Sequence, residues 1–144
     1  MKSDVLQYRF TVPAPPEVVV SHLMEPASYV GLNEYVFAVR DAREENGAIT
    51  YTAIERLPFL GLHFHSAIKV RVRSEEGGTR FVMEVASRGG VRVHIATDFA
   101  AVPEGALADD TITLTAAAPV RAYARKHARA GQLHKARTLA ARLA

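Results

Sequence analysis

Between residues 35 and 116 the chain alternates apolar and polar side chains through six successive stretches, with no helical period between them. The stretches are 35–42, 48–57, 63–73, 79–87, 91–99 and 110–116. Glu44-Glu45-Asn46-Gly47, Glu75-Glu76-Gly77-Gly78 and Arg88-Gly89-Gly90 supply turn chemistry between them. Residues 101–108, with Pro103 and Gly105, read as a loop. Strands joined this closely run antiparallel, because a parallel partner needs a crossover of about a dozen residues or more. The pattern predicts one meander with a single apolar face. In 63–73 that face carries Phe64, Ser66, Ile68, Val70 and Val72, while His63, His65, Lys69, Arg71 and Arg73 point the other way. Phe81, Met83 and Val85, then Val91, Val93, Ile95 and Phe99, then Ile112 and Leu114 continue the inward set.

The flanks show what covers that face. Residues 5–12 form a further strand with Leu6, Tyr8, Phe10 and Val12 on one side. Pro13-Ala14-Pro15-Pro16 stops it, and Glu17 suits the N-terminal end of a helix over 16–24 with Val19, Val20, Leu23 and Met24 inward. Residues 27–33 predict a second short helix, broken by Gly31 and Asn33. Pro119 opens an Ala- and Arg-rich helix to the C-terminus, about 24 residues or ~36 Å long. It is the one element long enough to cover the sheet. The fold class predicted is α+β. A curved antiparallel sheet of seven strands wraps around a long C-terminal helix, with two short helices after strand 1, in one domain over 1–144.

Composition removes several classes. With 49% hydrophobic and 23% charged residues, the chain is an ordinary globular sequence, not a disordered, collagenous or coiled-coil one. Cysteine is absent, which excludes disulfides, thiolate metal ligands and a cysteine nucleophile. No apolar run approaches the ~20 residues that span a bilayer. The N-terminus enters its strand without a signal-like apolar block, so a cytoplasmic location is expected. Charge is segregated. Residues 1–118 hold 11 Lys and Arg against 15 Asp and Glu, whereas Arg121, Arg125, Lys126, Arg129, Lys135, Arg137 and Arg142 follow with no acid. This run reads first as a solvated helix face on an acidic body, and second as a patch for nucleic acid or anionic lipid. Only Tyr123 interleaves an aromatic with it, which favours the first.

The element order resembles the helix-grip fold of the START, birch-pollen-allergen and polyketide cyclase/dehydrase superfamily. The resemblance rests on the alternating first strand followed by Pro13-Ala14-Pro15-Pro16-Glu17-Val18-Val19, and on Glu25-Pro26-Ala27-Ser28-Tyr29 at the helix-to-helix turn. Where many relatives carry a Trp-Asn pair, this chain has Leu32-Asn33. The resemblance implies a hollow between sheet and helix. It offers no invariant catalytic set, and its members include ligand carriers, lipid-transfer domains and aromatase/cyclases.

The inward positions define candidate cavity residues. Strand parity and helical phase bring together Tyr51, Glu55, Phe64, Ile68, Met83, Tyr123 and His127 as a ligand-binding set, with Glu55 and His127 as catalytic candidates. An inward Glu55 needs a partner, Arg56 or Arg9, or a raised pKa. In the last helix Val120, Tyr123, Ala124, His127, Gly131 and His134 fall within ~80° of one another. Beyond Gly131 the apolar stripe shifts to Leu133, Ala136, Ala140 and Leu143, which predicts a bend or a second contact such as a subunit. Leu57, Phe59, Leu60 and Leu62 form an apolar connection and a candidate entrance loop. His63, His65 and His94 fall on the polar face, so no metal site is expected, and no cofactor motif occurs. The favoured function is binding of a small hydrophobic, lipid- or polyketide-like molecule in a cavity. Next come a polyketide cyclase or dehydrase using the cavity's polar residues, and an RNA- or membrane-associated module using the basic helix. Expected partners are the hydrophobic molecule and a second copy of the chain, with nucleic acid or membrane less favoured.

Overall fold

The alternating stretches pair as a meander. The computed structural model describes residues 2–87 and 89–144; Arg88 of the predicted turn, and the side chains of Lys2 and Phe59, lie outside the described residues. The elements are β1 (Lys2–Val12), α1 (Pro16–Met24), a 3-10 turn (Pro26–Ser28), the single-turn α2 (Tyr29–Leu32), β2 (Val36–Glu45), β3 (Ala48–Phe59), β4 (Leu62–Glu75), β5 (Arg80–Ala86), β6 (Arg92–Val102), β7 (Gly105–Ala116) and α3 (Ala118–Arg142). A second 3-10 turn, Glu76–Gly78, joins β4 to β5. The seven strands lie in the order β1-β7-β6-β5-β4-β3-β2, and every pairing is antiparallel.

The register follows from burial on one face, since a slip of one residue would turn every side chain over. One apolar row crosses the sheet through Ile49, Val72, Met83, Ile95, Ile112 and Leu6. His63 and His65 are exposed on the opposite side, as the alternation requires. Asn46 and Gly47 both take positive φ (50° and 79°), the geometry of a two-residue hairpin whose twist matches its strands.

Two expected loops are strands instead. Leu60 and Gly61 take the same positive angles, 50° and 77°, so β3 runs on to Phe59 and β4 starts at Leu62. The apolar connection is the tip of a hairpin. Most of 101–108 is also strand, with β6 ending at Val102 and β7 starting at Gly105 around a two-residue turn. Gly105 is required there. Its φ is 137°, and a Cβ would collide with the Val12 carbonyl oxygen.

The predicted bend in the last helix is absent. α3 is continuous from Ala118 to Arg142; Ala124, Ala128, Gly131, Gln132, Lys135 and Leu139 form one buried and half-buried stripe along it, and of the expected second stripe Ala136, Ala140 and Leu143 are half-buried beside it. Leu133, expected on a second apolar stripe, is 53% exposed. The stripe is continuous because two polar residues, Gln132 and Lys135, occupy inward positions. The last turns are held to the α1–α2 region. His134 Nε2 donates to the Gly31 carbonyl at 2.7 Å, and Arg142 donates to the carbonyls of Ser28 and Val30, both at 2.7 Å. Arg121 pairs with Asp4 at 3.6 Å. Arg125, Lys126, Arg129 and Arg137 are exposed and make no ion pair among the described residues.

Candidate ligand cavity

A cavity of about 370 Å³ lies between the inner face of the sheet and α3. Its floor is apolar: Ile68, Met83, Val85, Ile95, Ile112 and Leu114. Its roof is made of small residues, Ala124, Ala128 and Gly131, which leave the space beneath the helix unfilled. One side is closed by Leu23 of α1, Tyr29 and Leu32 of α2 and Phe81, which line the cavity and pack behind it with Val19, Val20, Tyr51, Val70 and Val72 in the main core. The mouth is marked by exposed lining residues, Gly89 of the β5–β6 turn and Val120 and Tyr123 of α3.

Polar groups enter at few points. Glu55 projects inward from β3 opposite Val36 and Ser66, and it is buried. Neither expected partner reaches it. Arg56 turns to His63 Nδ1 at 3.5 Å, and Arg9 pairs with Asp109 at 3.4 Å. With no ion pair to it among the described residues, burial pushes the Glu55 carboxyl above the usual carboxylate range. The folded state therefore binds the proton more tightly than the unfolded chain. This favours folding below the unfolded pKa, and the contribution is lost as pH rises through the raised folded value. Glu55→Gln is expected to raise stability at pH 7, because the amide cannot ionise and so escapes the cost of holding a charge at this buried position. The gain should vanish toward pH 4. Urea unfolding at the two pH values checks this; an equal gain at both would show that charge is not the cause.

His127 sits on α3 between two aromatic rings. Its imidazole stacks on Tyr35 at 4.6 Å and 21° and on Tyr123 at 5.8 Å and 26°. Burial holds its pKa below the ordinary histidine value, with Glu34 pulling weakly the other way. Asn33 fixes this wall. Its Oδ1 accepts from the Tyr35 N–H at 2.9 Å, and its Nδ2 donates to the Tyr29 hydroxyl at 3.3 Å. Deeper in, Asp110 of β7 is completely buried. It accepts from Thr97 Oγ1 at 2.5 Å and from Lys135 Nζ at 2.6 Å. The Lys135 ammonium also lies 5.8 Å from the centre of the Phe10 ring.

Of the residues expected from sequence, Glu55, Ile68, Met83, Tyr123 and His127 line this one cavity. Tyr51 and Phe64 do not, which corrects both expectations. Tyr51 has the right parity but lies beside the solid core, edge-on to Tyr29 at 6.2 Å. Phe64 lies toward the β3–β4 hairpin tip and is 51% exposed. Of the entrance residues Leu57 lines the cavity, Leu60 and Leu62 are exposed beyond it, and the Phe59 side chain is outside the described residues. Tyr35, Gln132 and Lys135 line the cavity without having been singled out. Following the α3 stripe by spacing alone, whatever the polarity, would have found the last two.

The outer face of the sheet carries a second hollow, about 570 Å³, edged by Arg43, Arg71, Arg92 and Glu84. It is a charged, solvated saddle of the kind sheet twist leaves. Among the described residues no group of three or more His, Asp and Glu side chains is arranged to hold a metal ion. No helix among them is long and apolar enough to cross a membrane.

Seven antiparallel strands gripping a long C-terminal helix, with short helices after β1, make this a helix-grip fold, which several solved structures share. The Zhui aromatase/cyclase from Streptomyces sp. R1128 superposes with a TM-score of 0.81 at 10% identity, over 99% of this chain and 94% of that one. The di-domain aromatase/cyclase BexL, from the BE-7585A biosynthetic pathway, gives 0.76 at 14% identity over 98% of this chain. The present chain spans 50% of BexL's length. Ara h 8.0201 gives 0.66 at 11% identity, covering 96% of this chain and 98% of that one. No protein-family model matches the sequence, and neither does any curated protein.

Proposed function

We propose that residues 1–144 act as one ligand-binding domain and that the cavity beneath α3 takes up an apolar molecule of two or three fused rings. The observation that carries this reading is the apolar floor under a roof of small residues, with polar groups at a few fixed points. An apolar cavity of about 150 Å³ takes up benzene. At about 370 Å³ this one suits a larger ring system. The stacked Tyr35, His127 and Tyr123 would present flat faces to such a ligand at the mouth. The test is titration with an apolar fluorescent dye, together with native mass spectrometry of the purified protein. One saturable site, and displacement of the dye by polycyclic aromatic compounds, is expected. Absence of any saturable uptake would remove the reading.

A second reading, cyclase or dehydrase chemistry, is favoured by one further observation. The Glu55 carboxyl and the His127 imidazole face the same cavity, and burial pushes each toward its neutral form. A neutral carboxyl can give a proton and a neutral imidazole can accept one. On this reading Glu55→Gln keeps dye affinity and abolishes turnover of a poly-β-ketone. A Glu55→Gln protein with wild-type turnover would exclude Glu55 from the chemistry.

A further inference from the structure

Among the described residues, the formally charged side chains that line the cavity are Glu55 and Lys135. Lys135 is matched: its Nζ donates to Asp110 at 2.6 Å on β7, four strands from β3 in the sheet order. Glu55 is matched by nothing. It is 9% exposed and has no hydrogen bond or ion pair among the described residues. The Tyr51 hydroxyl, on the same face of β3, is shut from solvent, but the Glu55 oxygens are not, so they open into the cavity that Glu55 lines. Buried charges are paired as a rule, and leucine or methionine here would complete the apolar floor without that cost. The surroundings suit a cation. Ser66 stands directly opposite on β4 and lines the cavity, and its hydroxyl makes no hydrogen bond among the described residues. The Tyr29 hydroxyl accepts from Asn33 at 3.3 Å and keeps a second lone pair. Tyr29 and Tyr35 both lie within electrostatic reach of Glu55 and line the same cavity, and aromatic rings attract cations.

We propose that Glu55 is the counter-ion for a protonated amine carried by the ring ligand, with the Ser66 hydroxyl accepting a second ammonium proton. The rings then lie on the apolar floor and the ammonium at the β3–β4 side. A bound ammonium supplies the opposite charge that the protein withholds, so the carboxyl is ionised in the complex. This rests on the cavity being a ligand site, as proposed above, and specifies the ligand's chemical class: a cationic amine on an apolar ring system. It gives Glu55 a binding part in place of a catalytic one.

1-Naphthylmethylamine and 1-naphthylmethanol test it, being one bicycle bearing an ammonium or a hydroxyl at pH 7. An ammonium is the costlier group to take out of water, so a cavity without a counter-ion prefers the alcohol. In dye-displacement titrations the wild-type protein is expected to bind the amine about tenfold more tightly, the value of one hydrogen bond between charged groups. Glu55→Gln keeps the shape and removes the charge, and it should erase or reverse that preference. Ser66→Ala should reduce it about threefold, and it decides the matter should the Glu55 variant not fold. Equal wild-type affinity for the two compounds, or tighter binding of the alcohol, with the dye still bound, overturns the counter-ion site and leaves the cavity reading standing. A preference that survives in Glu55→Gln or is unaltered in Ser66→Ala overturns it as well. Failure of the dye and both naphthalenes to bind overturns the cavity reading and the counter-ion site together.

Discussion

Lys135→Met is expected to cost about 3–5 kcal/mol of folding stability, the scale seen when one partner of a buried ion pair is removed. Asp110 has no exposed surface, and among the described residues its carboxylate is met by Lys135 Nζ and the Thr97 hydroxyl. Methionine fills the same volume, so the loss would report charge and not packing. The reverse change should be gentler. Asp110→Asn leaves a lysine whose side chain is 17% exposed and lies along the cavity, where its flexible stem can move the ammonium toward water. About 1–2 kcal/mol is expected for it, and the double variant should be more stable than Lys135→Met alone. Urea unfolding of the three variants gives the coupling directly. A Lys135→Met protein that unfolds at the wild-type midpoint would show that Asp110 is not charged and buried as described.

The same ion pair explains how α3 can be continuous although its apolar residues change sides. By hydrophobicity alone, the helix loses its stripe at Gly131 and starts another at Leu133. Lys135 belongs inside only because Asp110 waits on β7, and Asp110 is tolerable on an inward strand position only because Lys135 arrives from 25 residues later. Neither residue is legible without the other. Parity fails differently. It placed Glu55, Ile68 and Met83 on the cavity face because alternation is a property of the strand itself. It placed Tyr51 and Phe64 there too, because alternation says which way a side chain points and nothing about what lies above it. Above Tyr51 stand α1 and α2, and Phe64 lies toward the exposed hairpin tip. The meander was readable from short turns between alternating runs. The two misread loops show the same rule: Leu60-Gly61 and Pro103-Glu104 each suffice to reverse a strand, so their apolar neighbours stay in the ladder.

Met83→Trp should abolish ligand uptake while leaving the fold intact. Met83 lies in the middle of the floor, between Val72 of β4 and Ile95 of β6, and its side chain faces the cavity. In a close-packed interior an added ring forces its neighbours off their rotamers at about 1–3 kcal/mol. For a chain of this size that lowers Tm by roughly 3–10 °C. A cavity of about 370 Å³ can instead absorb the indole. The expected result is a Tm within about 2 °C of wild type and a dye affinity at least about tenfold weaker. The wild-type chain has no tryptophan, so the indole is also the one reporter of its own surroundings. Blue-shifted emission would place it in the apolar space, and emission typical of water would place it outside. Phe64→Trp is the control. Phe64 shares Met83's face but not the cavity, so its variant should bind dye as the wild type does. If Met83→Trp melts early and the wild type takes up no dye, the interior is solid. The binding and cyclase readings then fall together, and the unpaired cations of α3, Arg125, Lys126, Arg129 and Arg137, become the surface to test, with anionic lipid and nucleic acid as probes.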